Sequence, residues 1–453
     1  MKGKIVIITG TRPEIIKMAP IIHCFREVEN LDLYLVHTGQ HTDWNMSRVF
    51  IEEFELPEPY AYLNINTETQ IKQIANILIG LEPILDEIAP DAVMAVGDTN
   101  SVLSAAIAAN KIGIPFIHVE AGLRSFDMTM PEEVNRIIAD HISSLNFPPT
   151  NRAASNLLME GYPHEDIYVV GNPVIDSLIR MKDKAERSGI LEDIEASKKP
   201  IITVTVHRRE NLSRKERMMG IVDGIISLDL GTVVWPVHPH TLSILEKYGL
   251  LDKLKEKDNI IMTEPLGYID FIGLMMRSSV IVTDSGGIQE ESTFLGIPCV
   301  VVRNNTERPE ALETGLSVLA GTDPKRIKYE VIRMSKIGVR PIVENNPFGD
   351  GKASIRIVDI TLSYLRKGFS QRCETFQEHG PIYAALIANE MLSGRRISEV
   401  ESTYGVKVIS LFKKDGLIDL VRDMREIRQG EMLLVSGERS KISRLLESGS
   451  HKV

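Results

Sequence analysis

The chain contains only three cysteines, Cys24, Cys299 and Cys373, far apart and odd in number. That scarcity excludes a disulfide framework and a CxxC metal site, and it fits a reducing compartment. Basic residues are not in excess: 52 Lys and Arg stand against 62 Asp and Glu, a formal net charge of −10. Nucleic acid is therefore not an expected partner, and any phosphate site must be local. No stretch approaches roughly 18 uninterrupted apolar residues, and the N-terminus enters the strand-like run Ile5 to Ile8 without a charged leader and a long apolar segment. No membrane partner is expected, and the chain reads as cytoplasmic. Internal repeats and low-complexity tracts are also missing. The first βα turn, ITGTRPEIIKMAP over residues 8 to 20, lacks the GxGxxG spacing of a dinucleotide site, which argues against a Rossmann dehydrogenase.

What is present is the composition of a soluble globular protein of two or three domains: 453 residues, 43% hydrophobic and 25% charged. Short apolar runs alternate with segments of helical period as far as about residue 300: KIVIITG, LYLVHTG, AVMAVGD, PFIHVEAG, YVVGN, ITVTVHR, VVWPVH, VIVTDSGG and PCVVVRN. This is the βαβ rhythm of doubly wound parallel sheets, whose ligands sit beyond the carboxyl ends of the strands. The rhythm breaks in the charged stretch between Ile179 and Lys199, closed by Pro200, and again near Gly368. The fold expected is α/β, with units at residues 1–175, 176–368 and 369–453, the first two facing across a cleft and the third a small α+β appendage. In the third, helices are expected around Ile382 to Met391 and Ile397 to Tyr404, strands at Val406 to Phe412 and Glu431 to Val435, and a last helix from Ser440.

The candidate chemistry lies just after the strand runs. Gly10 permits a tight turn, Pro13 suits the first helical position, and Arg12 is left at a helix N-terminus, where it can meet an anion or pair with a surface carboxylate. Asp98, Glu120 and the pair Glu132 and Glu133 put three acidic loci on one rim. Asp98 can simply cap the next helix and Glu132 favour a helix dipole, but Glu is a poor N-cap and GLRS after Glu120 reads as a loop, so Glu120 is harder to assign to structure. In the second half His207, with Arg208 and Arg209, and His238 follow strands and suit phosphate or proton transfer, or structural duty. Ser285, Gly286 and Gly287 open backbone N–H groups at a helix start, which suits a diphosphate. Glu290 and Glu291, a turn further on, suit ribose hydroxyls or a solvated face, and Arg308 can close the site.

Taken in order, GTRPEIIKMAP, GDTNS, HVEAGLRS, PEEVNR, GNPVID, HRREN, TDSGGIQEE and TERPEA resemble the signature series of the non-hydrolysing UDP-N-acetylglucosamine 2-epimerases, over residues 4 to about 366. The resemblance implies a GT-B-type pair of Rossmann-like domains and no metal or other cofactor. It implies that Arg12, His207, Ser285, Gly286, Glu291 and Arg308 surround UDP, with Phe271 near the uracil. Asp98, Glu120 and Glu132 are implied at the sugar, with His207 counted among the catalytic groups. Lys17 and Arg136 match further active-site positions, and Gln40 and His41 match part of a site where some bacterial members bind UDP-GlcNAc as an activator. The loop SFDMTM before Pro131 is shorter than in bacterial members and lacks their Trp, a departure that weakens the expectation of substrate activation.

Such an enzyme inverts C2 by eliminating UDP and adding it back, which calls for acid/base groups on both faces of the sugar; a set of three carboxylates can supply them. The rival readings are an epimerase of UDP-2,3-diacetamido-glucuronic acid, a hydrolysing epimerase, a GT-B glycosyltransferase and a non-catalytic sugar-nucleotide sensor. The partners expected are a UDP-sugar and a second copy of the chain. Residues 370 to 453 resemble the C-terminal domain of Trk/RCK-type potassium-transport regulators, notably in RQGEMLLVSGE, which implies a pairing unit that takes a small-molecule ligand.

Overall fold

The structure, a computed structural model, describes residues 3–39, 48–65, 69–194, 200–339, 346–367, 382–388, 390–412, 418–419, 426–437, 440–442 and 444–445. The apolar runs become two parallel sheets. The first holds β1 (Gly3–Thr9), β2 (Leu31–His37), β3 (Ala61–Tyr62), β4 (Ala92–Val96), β5 (Phe116–Val119) and β6 (Leu145–Phe147), in the order β3-β2-β1-β4-β5-β6. The second holds β7 (Ile201–Thr205), β8 (Thr232–Pro236), β9 (Ile260–Thr263), β10 (Val280–Thr283), β11 (Cys299–Val301) and β12 (Ser317–Leu319), in the order β12-β11-β10-β7-β8-β9. Register is set by runs that are apolar on both faces: Ile7 lies opposite Leu35 on one side and Met94 on the other. In each sheet the order reverses beside the first strand, between β1 and β4 and between β7 and β10. A crevice opens at such a switch point, so the four loops after these strands are where a ligand belongs.

The halves share a core. The Pro173–Glu186 helix, started by Asn172 as N-cap and Pro173 at the first position, buries Val174, Ile175, Leu178 and Met181 with Ile15 of the first half and Tyr268, Ile272 and Ile281 of the second. The Ala353–Lys367 helix returns to the first sheet, where Ile357 and Val358 pack with Ile5, Phe25 and Phe147. The crossing between halves is made by backbone: Asn172 N donates to Phe348 O at 2.8 Å, with Gly171 and Gly349 face to face. Gly349 has φ +113°, and a Cβ there would lie 3.0 Å from the Gly171 Cα.

Two sequence expectations are corrected. YVVGN forms no ladder strand; Tyr168 N and Val170 N bond to Asn146 O and Pro148 O, and only Ile167 makes an isolated bridge, with Asn146. Ile382 to Met391 is not a helix: Ile382–Ile387 is a strand, β13, paired antiparallel with β16 (Met432–Gly437). The Ala and Leu residues there tolerate a helix, but pairing with a neighbouring strand overrides so weak a preference. With β14 (Lys407–Phe412) and β15 (Ile418–Asp419), these strands form a sheet in the order β13-β16-β14-β15, and the Ile397–Tyr404 helix buries Ile397, Val400 and Tyr404 with Val408, Leu433 and Val435. Among the described residues no helix is long and apolar enough to cross a membrane.

Gly349→Ala is expected to lower the calorimetric unfolding midpoint more than Gly338→Ala. Both lose a left-handed glycine, at about 1–2 kcal/mol each, but Gly338 (φ +71°) has nothing within 4 Å of an added Cβ. Equal midpoints for the two variants would remove the special role of the Gly171/Gly349 crossing.

Candidate active site

At the first switch point Gly10 is pressed against two hydroxyls: an added Cβ would lie 2.3 Å from both Ser101 Oγ and Thr38 Oγ1. The next helix, Arg12–Arg26, starts at Thr11, and Glu14 turns back to accept Gly10 N at 2.5 Å and Thr11 N at 3.0 Å. The other Glu14 oxygen accepts the Thr99 hydroxyl, so one buried carboxylate ties the loop after β1 to the loop after β4. Burial raises the Glu14 pKa to about 7. Arg12, half-buried at the first helical position, has its guanidinium 5.6 Å from the centre of the Phe50 ring.

Asp98 does not cap the following helix; Thr99 does, accepting Ser101 N at 3.2 Å. Asp98 is instead ion-paired with Arg136, and Asn135 Nδ2 donates to its carbonyl at 3.0 Å. Burial works against the charged form, but Arg136, Arg208 and Lys17 outweigh it and hold Asp98 below the usual carboxylate range. Glu120 has φ +67°, a left-handed conformation uncommon for a residue with a Cβ. It is held there because the N–H groups of Glu120 and Ala121 both donate to Phe147 O, and Gly122 N donates to the buried Asp140 at 3.1 Å. Asp140 is fixed in turn by His118 at 2.7 Å and Arg124 at 2.6 Å. The turn aims the Glu120 carboxylate at Lys17, at Asn172 Nδ2 (3.2 Å) and at Arg308 from the other half (2.6 Å). Despite burial, Lys17 and Arg308 keep its pKa lowered.

The adjacent acids of PEEVNR part ways. Glu133 is buried and accepts Ser125 N (3.0 Å), Ser125 Oγ (2.9 Å) and Phe126 N (2.8 Å), besides pairing with Arg136, so it anchors the preceding loop. Glu132, half-buried at the second helical position, lies close enough to Arg208 to help raise its pKa.

In the second half the buried Asp284 organises HRREN: it accepts His207 N, Arg208 N and Asn211 Nδ2, each at 3.0 Å. His207 is left exposed on the cleft. Ser285 is the N-cap of the Gly286–Leu295 helix. An added Cβ at Gly286 would lie 2.8 Å from Glu307 Oε1, whereas Gly287 faces open space, which leaves room for an anion over the helix start. Glu307, gripped by Arg208 (3.3 Å) and Arg303 (2.8 Å), lies 4.0 Å from Arg308. Glu290 and Glu291 are not on a solvated face: Glu290 is fully buried and pairs with Arg308, and Glu291 accepts Tyr268 OH at 2.9 Å. Phe271 is half-buried on the same Tyr268–Met276 helix. His238 caps the Pro239–Lys247 helix through Nδ1, accepting His240 N at 3.2 Å, which is a structural duty.

The structure thus joins Lys17, Glu120 and Arg308 in one set of ion pairs and Asp98 with Arg136 in another, with Glu132 and His207 at the rim; Gln40 and His41 lie outside the described residues. Sequence reasoning missed Glu14, Asn172, Asp284 and Glu307. GNP does announce Asn172 as a helix cap, but not that its amide turns toward Glu120. Among the described residues no group of three His, Cys, Asp or Glu side chains could hold a metal ion.

A family model described as UDP-N-acetylglucosamine 2-epimerase matches residues 23–362. The UDP-N-acetylglucosamine 2-epimerase of Methanocaldococcus jannaschii is 42% identical over 368 residues, which cover 79% of this chain and 98% of that protein. The UDP-2,3-diacetamido-2,3-dideoxy-D-glucuronate 2-epimerase of Pseudomonas aeruginosa is 38% identical, over 80% of this chain and 99% of its own. The crystal structure of the M. jannaschii enzyme in complex with UDP-GlcNAc and UDP superposes with a TM-score of 0.75 at 41% identity, covering 80% of this chain and all (100%) of that one. That of the Neisseria meningitidis enzyme bound to UDP-GlcNAc superposes with a TM-score of 0.72 at 32% identity, covering 80% and 100%.

The buried acids set a pH dependence for the ligand-free protein. Burial, ahead of every other influence, raises Glu14 and Glu290 to about 7 and Glu291 to about 8, from 4.5. The folded chain therefore keeps protons that the unfolded chain has lost, and stability falls as pH climbs from 4.5 toward 8. The depressed histidines His23, His37 and His207 act in the opposite sense, but only up to their ordinary value of 6.5. The calorimetric midpoint is expected to fall between pH 6.5 and 8, and Glu291→Gln to flatten the fall; a midpoint that rises across this window contradicts the assignment.

Proposed function

The chain belongs to the UDP-N-acetylglucosamine 2-epimerase family, and from that membership we propose that it interconverts UDP-GlcNAc and UDP-ManNAc by departure and return of UDP. The observation that carries the reading is the ion pair of Glu120, on the first half, with Arg308, beside the open helix start of the second. It brings a proton-transfer group and an anion-binding pole to one point.

The hydrogen on C2 of an N-acetylhexosamine has no ring carbonyl beside it, so a carboxylate removes it only once C2 has been acidified. Stretching the C1–O bond toward the diphosphate does this by giving C1 oxocarbenium character. Arg12, His207, Arg308 and the N–H groups at Ser285 and Gly286 stabilise the leaving diphosphate, Glu291 takes the ribose hydroxyls, and Phe271 lies at the uracil. Asp98, Glu120 and Glu132 serve the two faces of C2, with Lys17 and Arg136 holding Glu120 and Asp98 ionised. Addition of UDP to the bound 2-acetamidoglucal, with a proton delivered from the opposite face, gives the epimer without hydrolysis. The M. jannaschii and P. aeruginosa relatives differ in their sugar, and the motifs read the UDP end, so both UDP-sugars belong in the assay. A cytoplasmic location accords with this substrate.

In deuterium oxide, NMR is expected to show deuterium entering C2 of both epimers with no added metal or nicotinamide. Inversion with the original hydrogen retained would defeat the elimination mechanism. Asp98→Asn and Glu120→Gln are expected to lower turnover by about 10²–10⁴-fold while UDP still binds. Loss of UDP affinity with turnover intact would reverse the assignment of the two poles.

The C-terminal unit, with its likeness to Trk/RCK-type regulatory domains, serves in this reading to pair two chains and to take a small-molecule ligand. Its small core gains buried surface by pairing. Truncation after Gly368 is expected to give a smaller assembly by light scattering; an unchanged assembly with unchanged kinetics would dismiss the pairing and regulatory roles together.

A further inference from the structure

Asn172 and Arg308 each bridge the same two carboxylates. Asn172 Nδ2 donates to Glu120 Oε1 at 3.2 Å and to Glu290 Oε2 at 2.9 Å. Arg308 repeats the bridge, with Nε on Glu290 Oε1 and a terminal nitrogen on Glu120 Oε1. The four side chains close a buried ring that links the carboxylate at the sugar to one on the helix of the diphosphate pole. Lys17 also acts on Glu290, Glu291 adjoins it along the helix, and Glu307 flanks Arg308. Counting Lys17, which pairs with Glu120 from outside the ring, the ring's charges balance only while Glu290 is ionised.

A guanidinium is a rigid planar fork, so when Arg308 swings to set its terminal nitrogens on a diphosphate, the Nε held on Glu290 and the terminal nitrogen held on Glu120 move away with it. Glu120 keeps Lys17 when Arg308 turns away. Glu290 does not: among the described residues, Arg308 is the one cation hydrogen-bonded to it. A buried carboxylate that loses its cation is neutralised by protonation.

We propose that Glu290 is a positioning residue with a proton-linked role: it holds Arg308 against Glu120 before substrate binds, yields that arginine to the diphosphate of the UDP-sugar, and takes a proton from solvent as it does so. The inference rests on the reading of the cleft as a UDP-sugar site. Glu290 is already poised for the exchange, because burial, with Glu120 beside it, lifts its pKa to about 7 even with Arg308 in place.

The test is calorimetry of UDP-GlcNAc binding to the full chain in buffers of different ionisation enthalpy, which counts the protons taken up. The diphosphate diester of UDP-GlcNAc does not itself titrate near neutrality. Uptake of about one proton per site is expected near pH 8 and, with His207 replaced by Ala, almost none near about pH 5.5, where Glu290 is already protonated. Glu290→Gln is expected to abolish the uptake near pH 8. A folded Gln variant with undiminished uptake, or wild-type binding without uptake near pH 8, overturns the proposal. So does uptake that persists at the acid end in a His207→Ala background, where the histidine's own lowered pKa no longer contributes, since that would mark a carboxylate of ordinary or lower pKa such as Glu120; this comparison stands even if the Gln variant fails to fold. Failure of the wild type to bind UDP-GlcNAc would instead overturn the underlying functional reading.

Discussion

Everything in the cleft depends on how one carboxylate is held. Glu120 sits in a left-handed turn, almost wholly buried, and its charge is held by Lys17 from the first helix and, in the ligand-free cleft, also by Arg308 from the opposite half. A buried carboxylate with neither cation would protonate and cease to act as a base near neutrality. One cation comes from each half, and the meeting of the halves at Glu120 adds Arg308 to the partner, Lys17, that the first half supplies by itself. The surrounding scaffold serves that meeting: Asp140, His118 and Arg124 fix the turn, and Asn172, at the crossing between halves, turns its amide to the same oxygen as Arg308.

The duplicated topology explains why the functional loops converge. Each sheet reverses its strand order beside its first strand, so the loops after β1 and β4 in one half, and after β7 and β10 in the other, open toward a crevice. Glu14 in the first half and Asp284 in the second play matching parts, each a buried carboxylate collecting backbone N–H groups of the loops at its switch point. Such carboxylates fix the backbone next to Arg12 and at His207.

Much of this could be read from the sequence, for identifiable reasons. Runs such as AVMAV and VIVT are apolar on both faces and end in Gly or Asp, so strands and the loops after them are legible together, and Asp98, Glu120, His207 and Ser285 follow directly. What pattern could not separate was neighbours with different fates. Glu132 and Glu133 stand side by side at a helix start, yet one lies at the rim and the other anchors a loop, because each helical step turns the side chain by roughly 100°. Glu290 and Glu291 suited a solvated face equally well, and only packing reveals that both are buried. In the appended unit, the Ile382–Ile387 segment is a strand because β16 lies beside it, a tertiary fact that local preference does not hold.

The central claim is that the C1–O bond breaks and re-forms while UDP stays in the cleft. Positional isotope exchange tests it most directly, with a heavy-oxygen label placed between C1 and the β-phosphorus of UDP-GlcNAc. The label is expected to spread into the non-bridging β-phosphate oxygens as the epimers equilibrate, since the released diphosphate can rotate before it returns. Full equilibration of the epimers with the label still confined to the bridge would contradict the claim.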